Sequence, residues 1–572
     1  MLTFAELKKN LKKDFSSLKK VKVAILADSA TQLYAQALKG QGYSKGINYE
    51  IFEADYDQID RQILDHSSEL YSFQPEFVII FQSSQKLLKS FYKKDVSDRA
   101  TFADEQIQYL KGLLSALNSK LSSKVIYFNF AEINDGVFGN YSNKIESSFT
   151  YQLRKINFLL MNESQNTKNL LINDLNILQG QYGLGFVTDS RAYINSDMIF
   201  SIDFLPIVAK NTSDMIQSLI GNFKKCLILD LDDTVWGGII GDDGVENIQI
   251  GDLGVGKIYS GIQAWAKQLK ERGIILCICS KNTESLAKEP FEKHPDMILR
   301  LDDIALFVAN WESKANNIKY IQSVLNIGFD SMVFVDDNPY ERNLVRNFLP
   351  DVTVPELPED PADYLSFLCK QNLFETASFT DEDRQRTQQY QQEAGRAVLQ
   401  KAFVSEDDFL TNLEMQSEVK SFDSYSIPRV AQLSQRSNQF NLRTARYSED
   451  DLRKMIESDR HLTFSFTLQD KFGDYGLIGI IILEKKNKSL FIDSWIMSCR
   501  VLKRGMEEFV LNQVVGAALG YGFEKLVGEY IPTPKNSMVK DHYKKLGFVQ
   551  NEGRWELATK AFKELKTFIQ VK

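Results

Sequence analysis

Histidine and cysteine are both scarce in this sequence, and their positions exclude several kinds of site. The 572 residues contain four histidines, His66, His294, His461 and His542, so none lies between residues 67 and 293. A serine nucleophile in the first 200 or so residues therefore lacks the late histidine that a hydrolase relay uses. The five cysteines are odd in number and scattered, which is typical of a protein in a reducing compartment and not of a disulfide scaffold.

The sequence also lacks a strong excess of charge and any long apolar run. It has 68 Lys and Arg against 76 Asp and Glu, a formal net charge of −8, which argues against a general nucleic-acid binder. No apolar run approaches the ~18 residues that span a bilayer, and the lysine-rich N-terminus has no continuous apolar core of the kind a secretory signal needs. We therefore expect a cytoplasmic protein whose partners include neither membrane nor nucleic acid.

The length predicts roughly three or four domains. Strand and helix patterns alternate over the first ~200 residues and again from "KKCLILDLDDT" to about Pro355, which indicates two α/β regions with parallel sheets. A proline cluster and a polar, helix-favouring stretch follow, and then three consecutive strand-like runs suited to an antiparallel meander, a helix, a strand and a last helix, "NSMVKDHYKKLG". The predicted fold is multidomain α/β, with domains at 1–210 and 222–356, a helical connector at 357–420 and an α+β domain at 421–572.

The stretch "LILDLDDTVWGG" (227–238) places acids at the end of an apolar strand. Residues two apart on a strand share a face, so Asp230 and Asp232 project together. In open α/β sheets, ligands gather beyond the carboxyl ends of the strands, which is where these acids fall. Neighbouring carboxylates repel each other, so a bound cation is a ready way to keep both ionised. Thr234 adds a hydroxyl that can pin the turn.

Three further motifs follow in order. "IILCICSKN" is an apolar strand ending at Ser280, "NWESKANNI" supplies Lys314, and "MVFVDDNPYER" is an apolar strand ending in Asp336 and Asp337. Taken singly, each has a simpler interpretation, because strand-end acids are often helix caps or solvated loop residues and a lone lysine is usually a surface charge. The order of the four motifs, counted with "LILDLDDTVWGG", and the position of three of the four at strand ends favour one site.

With these residues the sequence resembles the haloacid dehalogenase-like (HAD) superfamily, whose central domain is a Rossmann-like parallel sheet. The resemblance implies that Asp230 attacks phosphorus to form an aspartyl-phosphate and that Asp232 acts as general acid and then base. It implies Mg²⁺ as the cofactor. The residues implied are, for the metal, Asp230, Asp336, Asp337 and Asp232 through its backbone carbonyl, and for the phosphate, Thr234, Ser280 and Lys314.

Within the superfamily, "LDLDDTVWGGIIGDDG", "CSKN", "VDDNPYER" and "VAQLSQRSNQFNLRTARY" (430–447) resemble the FkbH-like branch, of the HAD-IIIC type. The resemblance implies a phosphorylated small-molecule substrate: transfer of a glyceryl unit from 1,3-bisphosphoglycerate to the phosphopantetheine thiol of an acyl carrier protein, with release of phosphate. It also implies a cysteine-bound intermediate, for which Cys279 is the nearest candidate. A buried strand cysteine is the simpler interpretation of Cys279.

The spacing of the motifs predicts an uncapped site. Only 45 residues separate Thr234 from Ser280, and 33 separate Ser280 from Lys314, which leaves no room for a large cap domain once core helices are counted. The segment "WGGIIGDDGVENIQIGD" (236–252) is predicted to form a short hairpin flap. A site of this kind can admit a carrier-borne group, although uncapped phosphatases of small molecules also exist.

The flanking regions resemble two other families. The N-terminal region is similar to SGNH hydrolases and flavodoxin-like sheets, but it has Ala27-Asp28-Ser29 where the hydrolase turn needs Gly-Asp-Ser, so we expect a docking unit without hydrolase activity. The C-terminal region resembles the GNAT acyltransferase fold. Its candidate residues for binding phosphopantetheine or CoA are Arg500, Lys503 (in the place of a loop glycine), Gly505, Asn536 and Tyr543.

Three functions remain open from the sequence. The leading hypothesis is a magnesium-dependent HAD enzyme that acts on an acyl-phosphate-type substrate and loads a carrier protein. The second is a phosphatase acting on a sugar or amino-sugar phosphate. The third is a GNAT-type acyltransferase in which the HAD domain only binds, and this alternative predicts that Asp230 and Asp232 are dispensable.

Overall fold

The structure is a computed structural model. It describes residues 2–379, 383, 386–400, 403–437, 439–498, 501–502, 504–533 and 535–572. The chain forms two compact units, Met1–Ile216 and Gln217–Lys572. Their border lies inside a helix, Leu205–Leu219, a few residues beyond the boundary expected at 210. The three regions predicted after residue 222 all lie in the second unit.

The first unit is built on a parallel sheet of five described strands in the order β2-β1-β3-β4-β5. The alternating strand and helix patterns predicted this architecture, and the apolar run of β3 is buried along its whole length. The strands are β1 Lys19–Ala27, β2 Ile47–Glu53, β3 Phe77–Phe81, β4 Lys124–Phe128 and β5 Leu170–Asn173. The helices are α1 Phe4–Asn10, α2 Gln32–Ser44, α3 Ile59–Leu64, α4 Glu69–Phe73, α5 Ser84–Tyr92, α6 Phe102–Asn118, α7 Phe149–Asn166, α8 Leu175–Tyr182, α9 Leu184–Val187, α10 Ser190–Ser196 and α11 Leu205–Leu219.

The second unit begins with a four-stranded parallel sheet in the order β8-β7-β6-β9. Three of its strands are fully buried, as expected for a parallel sheet whose two faces are both covered. The strands are β6 Cys226–Leu229, β7 Ile275–Ser280, β8 Leu306–Ala309 and β9 Met332–Val335. The helices of this region are α12 Ile240–Asp243, α13 Gly256–Glu271, α14 Glu284–Lys293, α15 Lys314–Leu325, α16 Pro339–Phe348 and α17 Tyr364–Lys370.

A connector helix, α18 (Arg386–Gln400), joins this region to the C-terminal part of the unit. Its Arg396 donates from Nε and Nη2 to the Asp470 carboxylate, with both distances 2.7 Å, and both side chains are buried. Arg504 also contacts Asp470 and pairs with Glu393 of the same helix. Residues 386–400 are helical, as the polar stretch predicted, but the connector expected at 357–420 is not helical throughout, because residues 416–417 and 419–420 pair with a neighbouring strand.

The C-terminal sheet contains the predicted antiparallel meander, β12-β13-β14, continued by β15, β17 and β16 on one side and by β10 and β18 on the other. Its strands are β10 Gln416–Ser417, β11 Val419–Lys420, β12 His461–Asp470, β13 Gly473–Lys486, β14 Ser489–Met497, β15 Lys525–Gly528, β16 Val549–Asn551, β17 Arg554–Ala558 and β18 Gln570–Val571. Its helices are α19 Glu406–Asn412, α20 Ile427–Arg436, α21 Glu449–Ile456, α22 Met506–Gly520 and α23 His542–Lys545.

Two strands of this sheet pair for a short distance and then diverge. β14 and β15 run parallel and pair from Ser489 to Phe491 against Lys525 to Val527. Beyond that point the chain's own segment 440–442 bonds to both sides: Met497 N donates to Phe440 O at 3.2 Å, and Ile531 N donates to Leu442 O at 2.9 Å. The segment therefore occupies the split between the diverging strands.

Two local predictions were wrong. The last predicted helix, "NSMVKDHYKKLG", is a 3₁₀ turn at Ser537–Val539 followed by the short α23, because the preceding Asn536 side chain bonds to several backbone groups and holds the chain in a turn. The predicted hairpin flap at 236–252 has only one antiparallel bridge, Gly237 to Gln249, and contains α12. Among the described residues, no helix is both long and apolar enough to cross a bilayer.

Candidate active site

The predicted site residues of the second unit meet at one edge of the parallel sheet. Asp230 directly follows β6, Ser280 ends β7, and Asp336 and Asp337 directly follow β9. Since β6 lies between β7 and β9, the three strand ends are neighbours at the carboxyl edge, where parallel sheets bind ligands. Lys314 is the first residue of α15, which follows the outer strand β8.

Lys314 forms two buried ion pairs that hold the centre of the site together. Its Nζ lies 2.6 Å from Asp230 Oδ2 and 2.5 Å from Asp336 Oδ2. The three residues are 3%, 6% and 0% exposed, respectively. Burial alone lowers the pKa of a lysine, but the two carboxylates outweigh this effect and raise the pKa of Lys314 above its ordinary value. The lysine is therefore a fixed positive charge beside the aspartates.

Three carboxylates at this edge lie close enough to share one cation. Asp230, Asp336 and Asp337 each offer an oxygen atom within 4.8 Å of the others. Asp230 Oδ1 is buried and has no hydrogen-bond partner among the described residues. Burial and, after it, the Asp230 carboxylate raise the pKa values of Asp336 and Asp337, the latter to about 6, although Lys314 lowers both. An unpaired carboxylate oxygen among crowded acids fits a hard divalent cation.

Asp232 is held apart from that trio by hydrogen bonds. Its Oδ1 accepts from Trp236 Nε1 at 2.9 Å and from the Ile240 backbone N–H at 3.0 Å, and its Oδ2 accepts from Asn282 Nδ2 at 3.1 Å. Burial raises its pKa, and these donors partly oppose the effect. A carboxyl group in a fixed orientation with a raised pKa suits a proton donor. The metal role expected of Asp232 concerns its backbone carbonyl and stays a prediction.

The loop after β6 is shaped by acidic side chains that bind backbone amides. Asp233, at φ 50°, accepts from the Gly238 N–H at 2.8 Å, which agrees with a structural role. The Ile239 N–H donates to Asp243 and the Ile240 N–H to Asp232. Because these amides are already bonded, a longer hairpin ladder cannot form there. Thr234 Oγ1, fully buried, accepts from the Asp337 N–H at 3.1 Å and so ties the ends of β6 and β9 together.

Several side chains that position the acids were not predicted from the sequence. Arg342 donates to the backbone carbonyls of Asp336, at 3.0 Å, and Asp337. Glu341 is buried and pairs with Lys281 at 2.6 Å, which links α16 to the loop after β7. These residues, like Trp236 and Asn282, lie in or beside the motifs that carry the acids. Their position next to these motifs is the only sequence feature that could have identified them as positioning residues.

Cys279 lies on β7 and faces the core. It is 0% exposed, its Sγ lies 3.8 Å from the Lys314 carbonyl oxygen, and burial raises the pKa of its thiol. A buried thiol with a raised pKa is a poor nucleophile. The packing interpretation of Cys279 therefore agrees with its surroundings better than the thioester role does.

The C-terminal candidates for binding pantetheine or CoA are only partly visible. Arg500 and Lys503 lie outside the described residues. Gly505 precedes α22 and has φ 73°, a conformation that favours glycine. Asn536 is fully buried and donates to the carbonyls of residues 441 and 531, so its amide is used within the fold. Tyr543 is 1% exposed and packs against Gly528, so its ring serves the core.

Two exposed aromatic residues follow strands at the carboxyl edge of this sheet. Trp311, two residues after β8, is 74% exposed, and Tyr340, in the first turn of α16 after β9, is 67% exposed. The chain between β6 and β7 forms only the loop, α12 and α13, so no cap domain is inserted there, as the spacing predicted. A cavity of about 480 Å³ in the same unit borders Lys225, Ile275 and Ser331. Those residues precede or begin the strands, so this cavity is at the opposite edge of the sheet.

Comparisons with known proteins agree with this site. Residues 22–217 match the family model described as "FkbH, N-terminal domain". The crystal structure of the N-terminal part of the protein BF1531 from Bacteroides fragilis, "containing phosphatase domain complexed with Mg", is 53% identical and has a TM-score of 0.65. That match covers 66% of this chain and 100% of the other.

Two acetyltransferases are also similar, each over 25% of this chain, at 16% identity. Spermidine N-acetyltransferase from Vibrio cholerae is covered to 96%, with a TM-score of 0.21, and the ribosomal-protein-S18-alanine N-acetyltransferase from Escherichia coli to 89%, with a TM-score of 0.19. A comparison with curated proteins gave no match.

The parallel sheet of the second unit, with its acids and lysine at the carboxyl edge, is therefore a phosphatase domain of the HAD type, and the protein is an enzyme with phosphatase or related activity. The N-terminal domain of the chain, residues 22–217, belongs to the FkbH N-terminal domain family.

Proposed function

We propose that this protein is a Mg²⁺-dependent phosphoryl-transfer enzyme in which Asp230 is the nucleophile. The observation that carries the proposal is the pairing of one lysine with both Asp230 and Asp336, beside an Asp230 oxygen that has no described partner. Asp230, Asp336 and Asp337 would hold the metal ion. When bound, Mg²⁺ supplies charge that offsets the negative phosphoryl oxygens.

In the proposed first step, an oxygen of Asp230 forms a bond to phosphorus while the bond to the leaving oxygen breaks. Asp232 gives its proton to that leaving oxygen. In the second step Asp232 takes a proton from water, the water oxygen attacks phosphorus, and Asp230 leaves as a free carboxylate with release of phosphate. Lys314 neutralises phosphoryl oxygen charge throughout, and Ser280 and Thr234 are proposed to help bind the phosphate.

Trapping the phosphorylated aspartate tests this assignment. The full chain is mixed with a ³²P-labelled acyl phosphate and Mg²⁺, quenched in acid and treated with hydroxylamine, which cleaves an aspartyl-phosphate but not a phosphate ester on serine. We expect hydroxylamine-sensitive label in the wild type, none in Asp230→Asn, and label in the matched control Asp233→Asn, whose side chain only binds a backbone amide. Equal turnover by Asp230→Asn and wild type would overturn the proposal.

We further propose that the substrate is 1,3-bisphosphoglycerate and that the glyceryl group passes to the phosphopantetheine thiol of an acyl carrier protein. In this transfer the thiol sulfur bonds to the acyl carbon, the bond from that carbon to the phosphate oxygen breaks, and the thiol proton is lost to base. The product still carries the phosphate ester on its third carbon, and that ester is the bond that Asp230 and Asp232 would cleave in the two steps above, which leaves the glyceryl thioester. The uncapped carboxyl edge of the sheet, where the exposed Trp311 and Tyr340 follow strands, supports the proposal because a carrier arm needs access. The family resemblance supplies the identity of the donor and the acceptor.

Carbon label separates this transfer from simple hydrolysis. With bisphosphoglycerate labelled in the glyceryl carbons, glyceryl transfer predicts label on holo carrier protein and none on apo carrier protein, which lacks the thiol. Release of phosphate with an unlabelled holo carrier would indicate the alternative, a phosphatase of a sugar or amino-sugar phosphate. Transfer that survives Asp230→Asn and Asp232→Asn would instead indicate an acyltransferase whose HAD domain only binds.

A further inference from the structure

The first unit contains a cavity of about 430 Å³ that no described function uses. It lies at the carboxyl ends of β1 and β3, with Asp28 directly after β1 and Ser83 shortly after β3. These strands are neighbours, and the Asp28 N–H donates to the Phe81 carbonyl at 3.1 Å. The strand order 2-1-3-4-5 reverses direction between β1 and β3, and open α/β sheets bind ligands at such a switch point.

A buried carboxylate in this cavity has an oxygen that is not used. Asp28 is 6% exposed, and its Oδ2 accepts from the Ser83 N–H at 2.8 Å and from Ser83 Oγ at 3.3 Å. Its Oδ1 is buried and has no hydrogen-bond partner in the described part of the chain. Burial raises the pKa of Asp28 to about 6. A carboxylate oxygen left unpaired in this way is costly unless a ligand supplies a donor.

The other charged side chains that line the cavity determine what kind of hydrogen-bond donor a ligand can bring to Asp28. Asp57, Asp60 and Glu105 also line it, and Lys86 is its one basic residue among those described. Lys86 pairs with Asp57 at 3.3 Å. Glu105 pairs with Lys94, at 2.6 Å.

That leaves Asp28 and Asp60 without an ion pair to a described residue. Asp60 instead accepts from the Tyr109 hydroxyl, at 2.5 Å. The lining thus carries more carboxylates than cations: Lys86 also attracts Asp28 but forms its ion pair with Asp57, and one Asp28 oxygen accepts no hydrogen bond. A positive ligand restores the balance of charge, whereas a neutral one does not.

We propose that this cavity binds a small organic cation, a ligand with an ammonium group that donates to Asp28 and Asp60. A divalent metal ion fits less well, because within the described residues the acids close enough to share a metal are Asp230, Asp336 and Asp337 of the other unit. The proposal is independent of the phosphoryl-transfer site. It gives the N-terminal domain a binding role in place of the missing hydrolase relay.

Isosteric probes that differ only in charge test this proposal by titration calorimetry on the full chain. The pairs are 1,4-diaminobutane with 1,4-butanediol, and glucosamine with glucose. We expect saturable one-site binding of at least one amine and no binding of its neutral partner. Failure of both amines to bind, or equal binding of a neutral partner, would overturn the proposal, and the second result would indicate a polyol site.

Variants locate the binding. Asp28→Asn and Asp60→Asn should each weaken amine binding about tenfold or more, since each removes a charge-assisted hydrogen bond. Lys86→Met should strengthen it, because the competing cation is lost. Glu50→Gln, the same charge change at an exposed residue of β2, should leave it unchanged. If Asp28→Asn does not fold, Asp60→Asn and Lys86→Met still test the location of the site. If neither of these two variants changes amine binding, the amine binds elsewhere and the assignment is overturned.

Discussion

The side-chain amide of Asn282 donates to Oδ2 of Asp232 across 3.1 Å. The other Asp232 oxygen is held by Trp236 and by the loop backbone, so three donors from two strand ends fix one carboxyl group. A proton donor must be oriented toward the leaving oxygen at the moment of transfer. Asn282 is therefore a positioning residue for the proposed general acid.

Removing this amide should slow catalysis without weakening substrate binding. We expect Asn282→Ala to lower kcat by about 10- to 100-fold with little change in KM, because the loss is in the orientation of Asp232. Steady-state kinetics with an acyl phosphate measures both parameters. Thr283→Ala, at the exposed next residue, whose side chain makes no cap hydrogen bond, is the control and should match the wild type. A rise in KM at unchanged kcat would contradict this role.

Lys314 should be needed for stability as well as for activity. Lys314→Met leaves Asp230 and Asp336 buried without their cation, and breaking a buried pair typically costs about 3–5 kcal/mol. We expect a much lower Tm in EDTA, partly restored by Mg²⁺, and no measurable turnover. Lys293→Met, which removes an exposed pair with Glu289, should leave the Tm nearly unchanged. A Tm for Lys314→Met equal to that of the wild type would show that the pairs do not stabilise the fold.

Metal binding should raise the stability of the wild type. A ligand that binds only the native state at 100 times its Kd stabilises it by about 2.7 kcal/mol. We expect Mg²⁺ to raise the Tm of the wild type but not that of Asp336→Asn, in which the trio of carboxylates loses one charge. Differential scanning calorimetry with and without Mg²⁺ provides the measurement, and Asp302→Asn at an exposed residue is the matched control. An unchanged Mg²⁺ response in Asp336→Asn would place the metal elsewhere.

His542 should make the C-terminal region sensitive to acid. Burial lowers its pKa from 6.5 to about 3, and its Nε2 is buried without a described partner against the rings of Trp495 and Phe440. Between about pH 3 and pH 6.5 the unfolded chain binds more protons than the native one, so the free energy of unfolding falls as the pH drops through that window. At pH 5 the expected loss is about 2 kcal/mol relative to pH 7.

Denaturant titrations of wild type and His542→Phe at pH 7 and pH 5 measure this effect. The phenylalanine side chain cannot be protonated, so the unfolding free energy of this variant should fall less between pH 7 and pH 5 than that of the wild type. The other titrating groups are common to both proteins. The difference between the two proteins in lost unfolding free energy therefore reports on His542. Parallel losses in the two proteins would show that His542 does not carry the acid sensitivity.

The contact between Arg396 and Asp470 should hold the connector helix in place. Asp470→Asn leaves the buried Arg396 and Arg504 without their shared carboxylate, so we expect a loss of about 3 kcal/mol or more in unfolding free energy. Limited proteolysis should then cut within α18 sooner than in the wild type. Asp474→Asn, at an exposed residue near the start of β13 in the same hairpin, should show neither effect. Normal resistance of α18 in Asp470→Asn would mean that other contacts anchor it.

Three of the four motifs were predictable because each ends an apolar strand, and strand order brings those ends together. Asp230, Ser280 and Asp336 could therefore be placed at one edge from sequence alone. Asn282 and Arg342 could not, because their roles depend on turn geometry that no periodicity encodes. The flap was predicted as a hairpin because its glycines and alternating residues suit one, but acidic side chains bind the amides that a ladder would need.

β10 and β18, the first and last strands of the C-terminal sheet in chain order, pair with each other at one side of the sheet, with Ser417 opposite Val571. Residues 570–571 thus form a strand pair with β10, which lies in the segment expected to be the connector. Because β10 and β18 run parallel, a circular permutant of this region that joins residue 572 to the start of β10 needs a linker that crosses back along the pair, and with new ends in an exposed turn it would keep these strand neighbours. This arrangement also means that a tag fused directly after residue 572 emerges beside the connector.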